Sequence, residues 1–159
     1  MTHVYADNID TDRIIPGKYT KTLDTRVLAE HVLEDLDPNF RHRVQPGDVL
    51  VAGDNFGCGS SREQAPLALR ESGVSVVVAR YFARIFFRNA INIGLPVLEV
   101  PDHDVAPGHE VTVDLQRGVL HNHTTGQHFQ ANPLPSVMLE ILRAGGLVPY
   151  LKEKGTYQL

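Results

Sequence analysis

Cysteine, positive charge and long apolar runs are scarce in this 159-residue sequence, and each shortage excludes a class of function. A single cysteine, Cys58, cannot form an internal disulfide, and it cannot alone hold a structural zinc or an iron–sulfur cluster. The formal net charge of -4 argues against a binder of nucleic acid. The longest apolar runs, such as 74–79, are too short to cross a bilayer, and no basic and then apolar leader opens the sequence. We therefore predict a cytoplasmic protein with no nucleic-acid partner, no membrane partner and no metal site of its own.

The alternation of apolar runs and amphipathic segments predicts an α/β fold. The β-branched run at 74–79 is typical of a strand buried on both faces of a parallel sheet. The carboxylate-rich segment 7–19 is predicted to be a turn without helix. Strands are predicted at 2–5, 49–52, 74–79, 94–100, 110–115 and 119–121, with a hairpin turn at 116–118, and helices at 24–36, 61–72, 81–92 and 136–144. Together they predict one domain over residues 1–159, with a compact mixed sheet or partial barrel flanked by helices.

Residues 53–65 carry the densest chemistry in the sequence, because three glycines, the cysteine and two adjacent serines run directly into an Arg-Glu pair. An apolar strand precedes them and a helical pattern follows. Such junctions favour anions, since glycines let the backbone approach a ligand and the first helical turn presents unpaired N–H groups. A structural explanation is equally open: Ser60 or Ser61 caps the helix, and Glu63 or Gln64 completes a capping box.

The same segment indicates which anion would bind. It lacks the lysine and the spacing of a nucleotide-binding P-loop, whereas Arg62 offers the bidentate geometry that suits a small carboxylate. A serine beside such a site can act as a base once positive groups stabilise its alkoxide. A serine-hydrolase elbow fits less well, because the Gly-x-Ser-x-Gly pattern breaks after Ser60. Cys58 lies where a thiolate would be favoured, but a small side chain tolerated in a tight loop explains it better.

Asp10 and Asp12 stand two residues apart in a segment expected to be extended. On one face of that segment they could serve as paired carboxylates or as metal ligands. Alternatively they form the turn, which is the more common use of aspartate in such a run.

The helix predicted over 81–92 has two faces. Arginines recur at intervals of four, which indicates an exposed stripe, a subunit interface or a second anion contact. Large apolar side chains follow the helical period and are expected to face the core. The arginines are Arg80, Arg84 and Arg88, and the apolar side chains are Phe82, Ile85, Phe86 and Ile91.

Three ordered motifs closely resemble the small subunits of 3-isopropylmalate dehydratases. These motifs are Asp10 to Pro16, Gly53 to Glu63, and Ala79 to Phe86 followed by Asn89, Asn92 and Gly94-Leu95-Pro96. This subunit corresponds to the swivelling domain of aconitase-type enzymes, so the resemblance implies a β/β/α swivel fold. It also implies a hydro-lyase that isomerises a hydroxyacid by dehydration and rehydration.

The resemblance implies roles for individual residues. The serine of the family's glycine loop removes the proton next to a carboxylate, which implies that Ser60 is the base. Asp12 matches the family's active-site aspartate and is the second implied catalytic residue. The implied substrate-binding residues are Arg62 as the carboxylate clamp, Ser61 and, in the loop that distinguishes substrate side groups, Lys21 and Thr22.

The resemblance also implies an active site divided between two chains. In this family a 4Fe-4S cluster lies on a large subunit and acts as a Lewis acid on the leaving hydroxyl, while the serine works from the other side. The single cysteine here agrees with that division. We therefore expect a heterodimer or heterotetramer that is active only with the cluster-binding large subunit, and no cofactor bound by this chain.

Two departures from the family pattern leave the hydroxy-dicarboxylic acid substrate open. Residues 17–22 carry Lys21 where many relatives have an arginine, and Gln64 stands where histidine is common. The main hypothesis is the isomerisation of 2-isopropylmalate to 3-isopropylmalate in leucine biosynthesis. The small subunit of a homoaconitase or of a methylmalate-type dehydratase is an alternative. A stand-alone carboxylate- or phosphate-binding module and a regulatory or structural subunit are rivals of another class.

Overall fold

The computed structural model of the protein describes residues 1–154, so residues 155–159 of the predicted domain lie outside it. Its centre is a sheet of four parallel strands in the order β1-β2-β3-β4. The strands are β1 Thr2–Val4, β2 Val49–Val51, β3 Val76–Ala79 and β4 Val97–Glu99. At least one helix lies in each connection, because parallel neighbours need a crossover.

Apolar layers cover both faces of the parallel sheet, which explains its continuous burial. Leu50 and Val77 belong to the core that the helices complete. Val51 and Val78, the next residues along the same strands, belong to a second core that includes Leu120. Because successive side chains in a strand point to opposite faces, one sheet separates two cores. The result is an antiparallel sheet, a parallel sheet and a helical layer, which confirms the predicted α/β swivel architecture.

The second sheet contains three antiparallel strands in the order β5-β6-β7. They are β5 Val111–Asp114, β6 Val119–Asn122 and β7 His128–Gln130. The predicted hairpin at 116–118 joins the first two strands and sets Val113 opposite Leu120. The sequence pattern does not predict β7. The sequence predicts a compact mixed sheet or partial barrel, whereas the structure has the parallel and the antiparallel strands in two separate, stacked sheets.

Helices surround the other face of the parallel sheet. They are α1 Thr11–Ile14, α2 Thr25–His31, α3 Phe40–Arg43, α4 Gln64–Ser72, α5 Arg84–Asn92, α6 Ser136–Ala144 and α7 Leu147–Lys154, with a 3₁₀ turn at Gly17–Tyr19. As predicted, α4 and α6 end at glycines in the left-handed conformation, Gly73 and Gly145. The sequence pattern does not predict α3 or α7. No helix within residues 1–154 combines the length and the apolarity that a membrane span requires.

Several predicted segments differ from the structure, among them α4 and α5, which begin at Gln64 and Arg84 and not at the predicted residues 61 and 81. Segment 7–19 contains α1 and the 3₁₀ turn, because the Asp10 carboxylate accepts the N–H of Arg13 at 2.8 Å and caps α1. Helix α2 ends at His31 and not at residue 36, because the buried Leu33 adopts a φ of 57°. The N–H of Leu33 donates to the carbonyl of Ile14 at 2.8 Å, a long-range bond that local periodicity cannot show.

Candidate active site

The candidate site forms where the segment after β1 runs beside the glycine loop after β2. Asp10 and Cys58 form a parallel bridge, and the N–H of Thr11 donates to the Cys58 carbonyl at 2.9 Å. The N–H of Gly57 donates to the Ile9 carbonyl at 2.7 Å. Both segments leave the carboxyl ends of adjacent parallel strands, the edge at which α/β sheets bind ligands. This backbone pairing brings α1 against the glycine loop.

Gly57 occupies a position that only glycine fits. Its φ is +83°, and an added Cβ would lie 2.2 Å from Cγ of Phe86. Phe86 packs edge-on against Phe56, with ring centroids 5.2 Å apart. Aromatic packing against α5 therefore fixes the path of the glycine loop.

The two serines of the loop do not cap α4, so the capping-box explanation is wrong. The N-cap residue is Glu63, and no side chain caps the helix there. Ser61 Oγ instead accepts a hydrogen bond from Asn89 Nδ2 at 3.4 Å. Thr11 Oγ1 donates to the backbone carbonyl of Ser60 at 2.9 Å, whereas the exposed Ser60 hydroxyl has no hydrogen-bond partner within residues 1–154. The Ser60 hydroxyl is therefore available for chemistry.

Arg62 is held by one of its terminal nitrogens. Nη1 donates to Oδ1 of Asp12 and, at 3.3 Å, to the carbonyl of Ile15. The Arg62 side chain is 18% exposed and that of Asp12 66%. Among the described residues, Nε and Nη2 of Arg62 have no partner, so this edge of the guanidinium is an open fork for a carboxylate. Asp10 caps α1 instead, so the two aspartates do not form a carboxylate pair.

A small cleft opens between the glycine loop and α5, with a volume of about 180 Å³. Ser60 and Arg62 line its polar side, and Phe86 and Ile85 line its apolar side. The helical period predicts that Ile85 faces the core, but this side chain is 53% exposed, whereas Phe82, Phe86 and Ile91 are buried as predicted. Pockets for drug-sized ligands measure roughly 300–1,000 Å³, so this cleft suits a smaller organic acid.

The loop expected to distinguish substrates lies beside the start of α4 but not in the cleft wall. Gln64 Nε2 donates to the Thr20 carbonyl at 2.8 Å and ties the loop to α4. Lys21 is exposed, and in the described chain neither Lys21 nor Thr22 lines the cleft. The Thr22 hydroxyl accepts a backbone N–H within its own loop. The structure thus brings Ser60, Ser61, Arg62 and Asp12 together and leaves Lys21 and Thr22 apart from them.

The base of the same loop is fixed by an aromatic stack. The rings of Tyr19 and His31 are nearly parallel, with centroids 3.9 Å apart. The Tyr19 hydroxyl donates to Glu34 at 3.2 Å, and His31 Nδ1 lies 2.6 Å from the same carboxylate. Burial by itself would raise the pKa of Glu34, but the hydrogen bonds from His31 and Tyr19 outweigh burial and lower it. These contacts hold the loop at its root.

Sequence reasoning gave no role to two residues that shape the site. Thr11 fixes the backbone of Ser60, and Asn89 holds the Ser61 hydroxyl. Thr11 belongs to the first family motif and Asn89 to the third, so both positions were marked by the resemblance although neither was given a role. Cys58 is half-buried and does not line the cleft. Within residues 1–154, no group of three or more His, Cys, Asp and Glu side chains could hold a metal ion.

Known proteins resemble this chain over almost its whole length. Residues 1–103 match the family described as the Aconitase C-terminal domain. The chain is 55% identical over 152 residues to the 3-isopropylmalate dehydratase small subunit of Caldicellulosiruptor bescii, covering 94% of this chain and 92% of that protein. It is 53% identical over 154 residues to the 3-isopropylmalate dehydratase small subunit 1 of Methanopyrus kandleri, covering 96% of this chain and 91% of that protein. The crystal structure of a 3-isopropylmalate dehydratase from Methanocaldococcus jannaschii aligns with a TM-score of 0.91 at 44% identity, covering 97% of this chain and 92% of that chain.

Proposed function

The chain belongs to the family of 3-isopropylmalate dehydratase small subunits, and we propose that, with a large subunit, it interconverts 2-isopropylmalate and 3-isopropylmalate in leucine biosynthesis. This hydro-lyase reaction is a dehydration followed by a rehydration at the neighbouring carbon. One observation carries the proposal: Ser60, whose hydroxyl has no partner within residues 1–154, and Arg62, whose Nε and Nη2 have none there either, line the same small cleft. The cytoplasmic location stays a prediction.

Arg62 binds one carboxylate of the substrate in this proposal. Because Asp12 and the Ile15 carbonyl occupy Nη1, the donors left are Nε and Nη2, which can form two parallel hydrogen bonds to a carboxylate. Asp12 acts through Arg62, because its carboxylate fixes the plane of the guanidinium. A substrate bound in this way has a defined orientation relative to the glycine loop.

Ser60 Oγ takes the proton from the carbon next to the bound carboxylate. The electron pair of that C–H bond forms a carbon–carbon double bond as hydroxide leaves the adjacent carbon. In the second half, the hydroxyl adds to the carbon that lost the proton, and a proton adds to the carbon that lost the hydroxyl. Serine is a weak base unless its alkoxide is stabilised, and the guanidinium two residues away supplies positive charge for this purpose.

The residues of this chain do not fit an iron–sulfur cluster, since its only cysteine lies outside the cleft wall. We therefore assign the 4Fe-4S cluster to the large subunit, where it would supply the Lewis acid for the leaving hydroxyl. The contribution of this chain is carboxylate binding by Arg62 and proton transfer by Ser60.

The lining of the cleft favours a substrate with an alkyl side group over a substrate that carries a further carboxylate in its place. Ala83, Ile85 and Phe86 form an apolar side that suits an isopropyl group. Lys21, the cation expected to meet a distal carboxylate, lies outside the lining. These observations favour isopropylmalate over the substrates of homoaconitase.

The test compares Ser60→Ala with the unmodified protein, each assembled with the large subunit, by following the absorbance of the unsaturated acid. Loss of the base should lower kcat by about 10²–10⁴-fold with little change in KM. Ser136→Ala, at an exposed serine that starts α6, is the matched control and should keep full activity. Full activity in Ser60→Ala would refute the assigned base. Tight binding of isopropylmalate by the isolated chain, measured by calorimetry, would instead favour a stand-alone binding module.

A further inference from the structure

Two arginine residues line the candidate cleft. Arg62 comes from the entry to α4, and Arg84 is the first residue of α5. Arg62 is ion-paired with Asp12, whereas Arg84 makes no hydrogen bond or ion pair with any residue in the described part of the chain. The cleft wall therefore contains one arginine that shares a carboxylate partner and one that has no partner among the described residues.

The place of Arg84 in its helix is unfavourable for folding. No acidic residue lies in the first turn of α5, and a cation there opposes the positive end of the helix dipole. No ion pair within residues 1–154 offsets this cost. Arg88 is a useful comparison, because it lies one turn further along the same helix, is also exposed and does not line the cleft. Packing and helix stability thus give no reason for an arginine at position 84.

We propose that Arg84 binds the second carboxylate of the substrate, a role that rests on the proposed function. Isopropylmalate carries two carboxylates, and the open edge of Arg62 accommodates one of them. A dianion that enters a cleft with apolar walls needs a second cation to compensate its lost hydration. Lys21 lies outside the lining, so among the described residues of this chain Arg84 is the cation in the cleft wall that remains for this carboxylate.

The experiment measures KM and kcat of Arg84→Gln and of its matched control Arg88→Gln, both assembled with the large subunit. Loss of a charge-assisted hydrogen bond should raise KM roughly 10- to 100-fold for Arg84→Gln, with kcat changed only a few-fold. Arg88→Gln should retain the KM of the unmodified complex. Arg84→Lys should recover part of the affinity, since it keeps the charge without the fork. The melting temperature of Arg84→Gln should equal or exceed that of the unmodified chain, because a cation leaves the helix N-terminus.

A second measurement uses isopropylmalate with one carboxylate converted to a methyl ester. The unmodified complex should discriminate against the ester, and Arg84→Gln should lose most of that discrimination. Equal KM values for Arg84→Gln and Arg88→Gln, or full discrimination in Arg84→Gln, would overturn the assignment. A lowered melting temperature with unchanged KM would assign Arg84 to the fold instead. Each of these results leaves the proposed function intact, whereas an unmodified complex that does not turn over isopropylmalate refutes that function and this role together.

Discussion

Replacing Gly57 with alanine should destabilise the protein by about 2–5 kcal/mol, a magnitude that combines two costs. The first is conformational, because the left-handed conformation at a φ of +83° costs an L-residue about 1–2 kcal/mol relative to the right-handed conformation. The second is steric, because the new Cβ would lie 2.2 Å from Cγ and 2.4 Å from Cβ of Phe86. Phe86 is buried, so this overpacking should cost about 1–3 kcal/mol.

Gly47→Ala separates the two costs. Gly47 has a φ of +93°, and no described atom lies within 4 Å of an added Cβ, so only the conformational cost applies. Urea denaturation at equilibrium should therefore place Gly57→Ala about 1–3 kcal/mol below Gly47→Ala in its free energy of unfolding. In the assembled complex, Gly57→Ala should also lower kcat/KM, because Gly57 and Phe86 both line the cleft.

Equal destabilisation by the two substitutions would refute this reasoning. It would mean that α5 moves away from the glycine loop at no cost. The packing of Phe86 could then no longer be what fixes the path of the loop.

Three further predictions concern the titration of His103, the hydrogen bond from Gln64 to Thr20, and the buried carboxylate of Asp48. Burial lowers the pKa of His103 and outweighs the hydrogen bond to a backbone carbonyl, which raises it. As the pH falls below about 6.5, the unfolded chain therefore binds a proton that the folded chain does not yet bind, and the free energy of unfolding should decrease. His103→Gln should flatten that slope in urea titrations at several pH values; an unchanged slope would contradict the assignment. Gln64→Ala should cost about 1 kcal/mol and speed amide exchange in the loop, since it removes the bond to Thr20, and unchanged exchange would mean that other contacts hold the loop. Asp48→Asn should cost about 2–3 kcal/mol, because the buried carboxylate lies 2.8 Å from His3 Nε2 and accepts the N–H of Gln45 at 2.9 Å, and an amide cannot satisfy both contacts equally well. The exposed Asp35→Asn should change stability by no more than about 0.5 kcal/mol in the same denaturation assay, and equal effects would refute the role of burial.

Local pattern predicted the parallel part of the fold well. The apolar run at 74–79 is a central strand buried on both faces, because a strand with a layer on each side needs no polar alternation. Glycine predicted the ends of α4 and α6, since the left-handed conformation has a strong residue preference. The same reasoning failed for α2, where a buried Leu33 in the left-handed region ends the helix early.

Function was less accessible from pattern than fold. The resemblance implied Ser60, Arg62 and Asp12, and the structure brings these three residues together, although their roles stay proposals. The structure does not place Lys21 in the cleft wall, but it does place Arg84 there. From the sequence, the arginine series that includes Arg84 could equally be an exposed stripe, a subunit interface or a second anion contact. Side-chain exposure on α5 decided this, and exposure depends on which elements pack nearby.

The sequence by itself determined what chemistry the chain can bring: one cysteine, a glycine loop with adjacent serines, and arginines suited to carboxylates. These properties follow from residue type and local spacing. Only the tertiary structure decided which groups meet. Asp12 and Arg62 are 50 positions apart and pair because two parallel strands end side by side. The Ser60 hydroxyl is free because the N-cap residue of α4 is Glu63 and not a serine. Such outcomes depend on long-range packing, which periodicity along the chain does not encode.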